Sequence, residues 1–120
     1  MKIKLKFNSD QHNAFTMMIS YALNKDVENG VGVMEFYTLH TLRGKLERQQ
    51  LTSRSPMKNV SLSPCEGVCV ASALTKFMTW LQPYEMATAT QALEAIHLAF
   101  ITEVAYIKNK QAKNQQKKLT

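Results

Sequence analysis

Residues 61–74 read SLSPCEGVCVASAL, and within them Ser63, Pro64 and Glu66 carry the clearest local structural signal in the chain. Serine at an N-cap accepts a hydrogen bond from the amide of the third helical residue, and a glutamate at that third position bonds back to the N-cap amide. Proline at the first helical position already has the helical φ angle. This capping box predicts that a helix begins at Pro64.

The helix that follows is predicted to be strongly apolar. We expect it to continue to residue 81 or 82, where Pro83 stops it. Its apolar residues cover most of its circumference, and they are Val68, Cys69, Val70, Leu74, Phe77, Met78, Trp80 and Leu81. Because a helix that is apolar on most sides is usually buried, we expect this to be the central, most buried helix.

The residues before the capping box alternate as the first residues of the chain do. Residues 2–7 read KIKLKF, with apolar residues and lysines on opposite faces, which is typical of a half-buried strand. Val60 and Leu62 alternate in the same way and predict a second short strand. Lysines along one face suit the edge of a sheet.

Three further helices are predicted from apolar residues that recur at intervals of three and four. They span about residues 10–25, after possible N-cap oxygens at Asn8 and Ser9; residues 33–50, after a turn with Gly30 and Gly32; and the segment after residue 84 to at least 108. A polar loop is expected at residues 51–59. The chain therefore has the β-α-α-β-α-α order of a mostly helical α+β protein with four helices and two short strands.

The two halves of the chain align at an offset of 55 residues. This offset places Leu5 on Val60, Phe7 on Leu62 and Asn8 on Ser63. The matches are of pattern and not of identity. An internal repeat with a pseudo-two-fold axis is one interpretation, and a chance alignment of two capped amphipathic helices is the other.

Length and charge divide the chain into a domain and a tail. A chain of 120 residues suffices for one domain with its own hydrophobic core. The net charge is +6, and five of the fifteen basic residues lie in residues 108–120, where there is no acidic residue. We therefore expect a compact helical domain over residues 1–107 and a basic, solvated tail over 108–120.

The cysteines and the apolar segments predict the compartment. Two cysteines are too few for the disulfide framework of a small secreted domain. The first residues lack the layout of a signal peptide, and no segment approaches the roughly 18 apolar residues of a membrane span. We expect a cytoplasmic protein without membrane contact.

Cys65 and Cys69 lie four residues apart near the predicted helix start. Cys65 is the second residue of that helix, where free amides can lower a thiol pKa, so it is a possible reactive thiol. The β-carbons of residues i and i+4 lie about 5–6 Å apart, which is too far for a disulfide. Two thiolates also form only half of a zinc site. We therefore expect both cysteines to be small apolar residues buried in the core, with a reactive Cys65 as the alternative, and we expect neither metal nor cofactor.

No spacing of residues in the chain is typical of a catalytic site. His40 and His97 fall on predicted helices without a serine, cysteine or carboxylate placed to act with them, and glycine-rich phosphate-binding sequences are absent. We therefore expect no catalytic residues and no enzymatic activity.

Two basic regions could contact nucleic acid through phosphate. They comprise Arg43, Lys45, Arg48, Arg54 and Lys58 in the middle of the chain and Lys108, Lys110, Lys113, Lys117 and Lys118 in the tail. The tail has no arginine or aromatic residue to stack on bases, and we prefer solubility over nucleic-acid binding as the role of both regions.

The amount of apolar surface favours self-association. A nearly all-apolar third helix, a two-stranded sheet with open edges and a long alanine-rich last helix present more surface than a small monomer usually covers. We expect a non-catalytic interaction or assembly module, most simply a homodimer, with another protein as a possible partner. The alternative is a small protein that binds nucleic acid without sequence specificity.

Overall fold

The computed structural model describes residues 1–29, 32–78 and 81–119, apart from the side chains of 25–29 and 119. Within these ranges the elements are β1 (Ile3–Asn8), α1 (Ser9–Asn29), α2 (Val33–Thr52), β2 (Met57–Leu62), α3 (Pro64–Phe77) and α4 (Pro83–Leu119). The predicted order and the mostly helical α+β class are confirmed.

The two strands form an antiparallel sheet that is buried on one face. Leu5 lies opposite Val60, and Ile3 lies opposite Leu62. Alternation turns these four side chains towards the helices, while the lysines at positions 2, 4 and 6 are exposed on the outer face. The 55-residue offset relates the paired residues Leu5 and Val60, but an internal repeat remains a prediction.

Each strand runs directly into a capped helix. The amide of Glu66 donates to Ser63 Oγ at 3.2 Å, and the amide of Ser63 donates to Glu66 Oε1 at 2.9 Å, so the predicted capping box is confirmed. At the start of α1 the amide of Gln11 donates to Asn8 Oδ1 at 2.8 Å, and the amide of Asn8 donates to Gln11 Oε1 at 2.9 Å. These caps fix the residues at which each strand gives way to the helix that follows it.

The core lies between the sheet and the four helices, and α1 is its centre. This helix contacts each of the other five elements. The rings of Phe7 and Phe15 lie 5.1 Å apart where β1 meets α1. The largest fully buried apolar side chains are Phe7, Phe15, Ile3, Ile19, Leu39, Leu42, Leu46, Leu62 and Val70.

The expectation that α3 is the most buried helix is therefore wrong. Val68 is 57% exposed, and Cys65 is also exposed. The apolar residues of α3 do surround the helix, but α1, α2 and α4 cover only part of its circumference. One apolar side of α3 remains open to solvent.

The end of α3 also differs from the prediction. The helix ends at Phe77, and Pro83 is the first residue of α4 instead of the stop after α3. The amide of Gln82 donates to Glu85 Oε1 at 3.3 Å, which caps the new helix. The backbone N–H of the first helical residue has no partner within a helix, so proline, which lacks this N–H, is favoured there. Trp80, which was predicted to lie in α3, and Gly30, which was predicted to lie in the turn before α2, are outside the described residues.

Two other boundaries move outward. The second helix continues to Thr52, so the predicted polar loop is reduced to residues 53–56 before Met57 starts β2. The last helix runs through most of the predicted tail, to Leu119. The described residues of the predicted tail are thus helical, and their side chains are exposed up to position 118.

Candidate functional site

The second half of α4 extends beyond the rest of the molecule. Thr88, Ala89, Ala92 and Ile96 are buried against the body, whereas every described side chain from position 104 to 118 is exposed. The radius of gyration is 16.8 Å, against about 14 Å for a compact domain of this length. The molecule is therefore elongated along α4.

An apolar groove lies between α3 and α4. It has a volume of about 560 Å³ and is called here the α3–α4 groove; its lining residues are Val68, Ala71, Thr75, Leu93, Glu94, Ile96, His97 and Phe100. The two helices approach closely beside it, because a β-carbon on Gly67 would be 3.5 Å from Phe100 Cε2 and would overlap the Ile3 side chain. The glycine thus lets α3 rest against both β1 and α4.

A line of side chains carries this groove along α4 past the body. It is called here the α4 stripe, and it consists of Leu93, His97, Phe100, Val104 and Ile107. The intervals alternate between four and three residues, which is the spacing of the a and d positions of a coiled coil. Val104 is 47% exposed and Ile107 is 44% exposed, so the outer part of the stripe lies open.

Opposite charges lie beside the two ends of the α4 stripe. Glu94 lines the α3–α4 groove, and Lys108 lines a second hollow that continues from His97 and Phe100 to Val104. Fourteen residues separate the two charges, which is two heptads, so they project from nearly the same side of α4. Glu94 lies beside the end of the stripe that is nearer the body, and Lys108 lies beside the end that is nearer the C-terminus of α4.

The basic residues of the middle region do not form one free surface. Arg43 Nη2 donates to His40 Nδ1 at 3.2 Å, and Arg43 Nε lies 3.9 Å from Glu47 Oε1. Lys45 Nζ lies 3.3 Å from Oε2 of the buried Glu66 and so ties α2 to the start of α3. Arg48 and Arg54 are exposed on α2 and on the following loop.

Lys58 lies inside the fold. It is only 6% exposed, pairs with Phe7 across the sheet, and donates from Nζ to the carbonyl of Ser53 at 3.0 Å. Its ammonium is thus used to close the 53–56 loop onto β2. Of the predicted nucleic-acid contacts, Lys58 is the one that the structure removes from the surface.

The predicted tail lysines line the free part of α4. Lys108, Lys110, Lys113, Lys117 and Lys118 are all exposed. A separate row of three exposed lysines lies on the outer face of β1, at positions 2, 4 and 6. Exposed basic side chains thus lie both on the end of α4 and on the outer face of the sheet.

The two cysteines are free and lie in different surroundings. Cys65 is exposed at the second position of α3, and Cys69 is partly buried one turn later, so the expected burial in the core is wrong for Cys65. Burial raises the pKa of the Cys69 thiol, and the neighbouring Cys65 and Glu35 raise it further. Because thiolate is the reactive form, this places Cys69 below Cys65 in reactivity.

A buried polar network lies elsewhere in the fold, at His12. This residue is fully buried, and its Nε2 donates to Gln49 Oε1 at 2.9 Å. Gln49 in turn donates to the carbonyl of Asn59 at 2.8 Å, so the network joins α1, α2 and β2. Burial lowers the pKa of His12, and the charge of Lys58 adds to this while the Gln49 bond opposes it. The sequence pattern did not single out His12, since its neighbours are polar.

The other candidate residues are at the surface. His40 is exposed and its ring lies parallel to that of Phe36 at 6.1 Å, while His97 is exposed in the α3–α4 groove. Among the described residues no group of three or more His, Cys, Asp or Glu side chains could hold a metal ion. Within the same ranges no helix has both the length and the apolar character needed to cross a bilayer.

Comparison of the chain with protein-family models, with curated proteins and with solved structures finds no match. The surfaces described above are therefore the basis for any functional assignment.

Proposed function

We propose that this protein is a non-catalytic assembly module that associates with itself, most simply as a homodimer, in the cytoplasm. The observation that supports it is the α4 stripe, which leaves the body as an exposed apolar line and is continuous with the α3–α4 groove. An apolar surface of this kind on a small domain is typical of an interaction site. The two free cysteines agree with a reducing compartment.

The free half of α4 gives a physical reason for association. An isolated helix of about 12–15 residues is only marginally stable in water, and most helices are stabilised by packing an apolar face. Every described side chain from position 104 to 118 is exposed. A partner along the α4 stripe would supply the missing contacts and bury Val104 and Ile107.

The first test is the molar mass of the full chain by light scattering after size-exclusion chromatography, over a wide range of protein concentration. A mass of two chains, with dissociation on dilution, supports the proposal. A mass of one chain at every concentration contradicts it. The same measurement on a chain that ends at Ile107 separates the contribution of the lysine-rich end to association from that of the stripe.

The second candidate function is nucleic-acid binding without sequence specificity. The exposure of all five tail lysines along the free end of α4 favours it, since a helical row of cations can follow a phosphate backbone. Binding should then fall steeply with salt and should be lost in the chain that ends at Ile107. Fluorescence anisotropy with mixed-sequence DNA and RNA at low and high salt tests this. Binding that ignores salt would contradict a phosphate-based contact.

A further inference from the structure

We infer that the α3–α4 groove is filled by α4 of a second copy of this chain, running antiparallel, so that two copies form a four-helix bundle in which each α4 contacts both α3 and α4 of the partner. This inference rests on the proposed self-association and adds the surface, the orientation and the register. Four observations carry it: the stripe spacing, the open side of α3, the placement of Glu94 and Lys108, and the position of the lysine-rich end.

The stripe spacing fixes the kind of packing. Side chains at a and d positions insert between those of a facing helix, and in an antiparallel pair an a position faces a d position. A two-fold axis near Ile101 then places Phe100 against Val104 of the other copy, and His97 against Ile107 of the other copy. Each contact occurs twice. These layers cover the part of α4 that is exposed in one chain.

The open side of α3 supplies the second wall. Val68 and Ala71 line the same groove as Phe100, so a helix seated on the α4 stripe would contact α3 as well. Because Val68 is 57% exposed, it has area to lose on association. The partner's helix would therefore rest between two helices, as in an ordinary antiparallel bundle.

Charge complementarity identifies the occupant as a second copy. In this register Glu94 of each chain lies next to Lys108 of the other, which gives two opposite-charge pairs at the edges of the interface. The other acidic residue nearby, Glu103, lines a different hollow, together with Lys2 and Lys4 of the β1 side. One helix thus contains both the groove charge and the charge that complements it.

The basic end of α4 selects the antiparallel orientation. A parallel pair would bring the five tail lysines of one chain beside the five of the other, within the screening length of about 8 Å at physiological salt. An antiparallel pair places the two basic ends at opposite ends of the bundle, tens of ångströms apart at 1.5 Å per helical residue. The two lysine-rich ends are then separated, and Glu94 of each chain lies beside Lys108 of the other.

A charge-swap pair tests the register. Glu94→Lys alone and Lys108→Glu alone each place like charges together twice, and each should weaken the homodimer roughly tenfold. An equimolar mixture of the two variants should recover the wild-type affinity as a heterodimer, because both contacts again join opposite charges. Sedimentation equilibrium on each variant and on the mixture measures this. Both residues lie at the surface edge of α4, so circular dichroism should show unchanged folding.

A second pair of variants tests the surface itself. Val104→Glu places a charge at the centre of the interface and should weaken association at least a hundredfold, or about 2.7 kcal/mol. Leu98→Glu is the matched control, since Leu98 is 65% exposed on α4 outside the stripe, and it should leave the affinity nearly unchanged. This interface is overturned if Val104→Glu leaves the dimer affinity unchanged, or if the mixture of Glu94→Lys and Lys108→Glu chains does not recover it. Self-association itself would still stand in either case. A wild-type chain that is monomeric throughout, or one that binds only an unrelated protein on this groove, overturns both.

Discussion

The buried His12 should make folding stability depend on pH in a defined window. The folded state holds the imidazole neutral, since burial lowers its pKa and its Nδ1 has no hydrogen-bond partner among the described residues. The unfolded chain takes up a proton near the ordinary pKa of about 6.5. Stability is therefore fully present above that pH and is lost as the pH falls through 6.5 towards the lower folded-state pKa. The loss is at most about 1.4 kcal/mol per pH unit.

The magnitude follows from this window. Between about pH 7.5 and about pH 5.5, the unfolded chain takes up the His12 proton mainly in the pH unit below about 6.5. The free energy of unfolding should therefore fall by up to about 1.4 kcal/mol across this range. Unfolding entropies of about 2.1 cal/mol/K per residue convert this, for 120 residues, to a fall in the melting temperature of about 5–6 °C. Carboxylates titrate mostly below this range, which keeps the window clear of them. The ammonium of Lys58 is the charge that opposes protonation of His12.

Urea unfolding followed by circular dichroism at several pH values, at one protein concentration, measures the slope. His12→Gln should unfold more easily at every pH but should lose the pH dependence in this window. His40→Gln is the matched control because His40 is exposed, and it should keep the wild-type slope. If His12→Gln retained the full slope, the assignment of the pH dependence to this buried imidazole would be refuted.

Three further predictions concern the glycines, the α3 cap and the thiols. Gly44→Ala should raise the free energy of unfolding by about 1 kcal/mol, because nothing lies within 4 Å of the added β-carbon. Gly67→Ala should raise it less, because the added methyl group must displace the end of the Ile3 side chain of β1; thermal melts compare them, and equal shifts would contradict the close approach of α3 to β1. Ser63→Ala should cost about 1 kcal/mol by urea unfolding, and an unchanged midpoint would mean that the cap is dispensable. Alkylation followed by mass spectrometry should modify Cys65 faster than Cys69, and equal rates would contradict the raised pKa of the latter.

Local sequence patterns were sufficient to predict the elements because each depends on residues close together in the chain. Alternation in residues 2–7 and the box at Ser63 and Glu66 each specify a backbone conformation with its own hydrogen bonds. Where the prediction was wrong, two local rules competed at one residue. Pro83 can end one helix or begin the next; here α3 has already ended at Phe77, Pro83 begins α4, and the amide of Gln82 donates to Glu85 Oε1.

The candidate site was harder to predict because it depends on which faces the fold covers. Val68 and Val70 look equivalent in the sequence, yet one is 57% exposed and the other is fully buried. The hydrophobic period of α3 gives the spacing of apolar residues but not the number of neighbouring helices. His12 is the opposite case, since a polar residue in a polar segment became buried when α2 and β2 both packed against α1.

Apolar residues continue on α4 beyond the part of the helix that packs against the body. Within the body, Ala89, Ala92 and Ile96 already fill the contacts that α4 makes with α1 and β1. A helix needed only for that packing could become polar after Phe100. Instead Val104 and Ile107 extend the a and d spacing for two more turns, and only then do lysines dominate. The point at which the stripe stops, one residue before Lys108, is also the point at which an antiparallel second copy would present its Glu94. A sequence selected only for solubility would have no reason to place its apolar stripe and its first tail lysine in that relation.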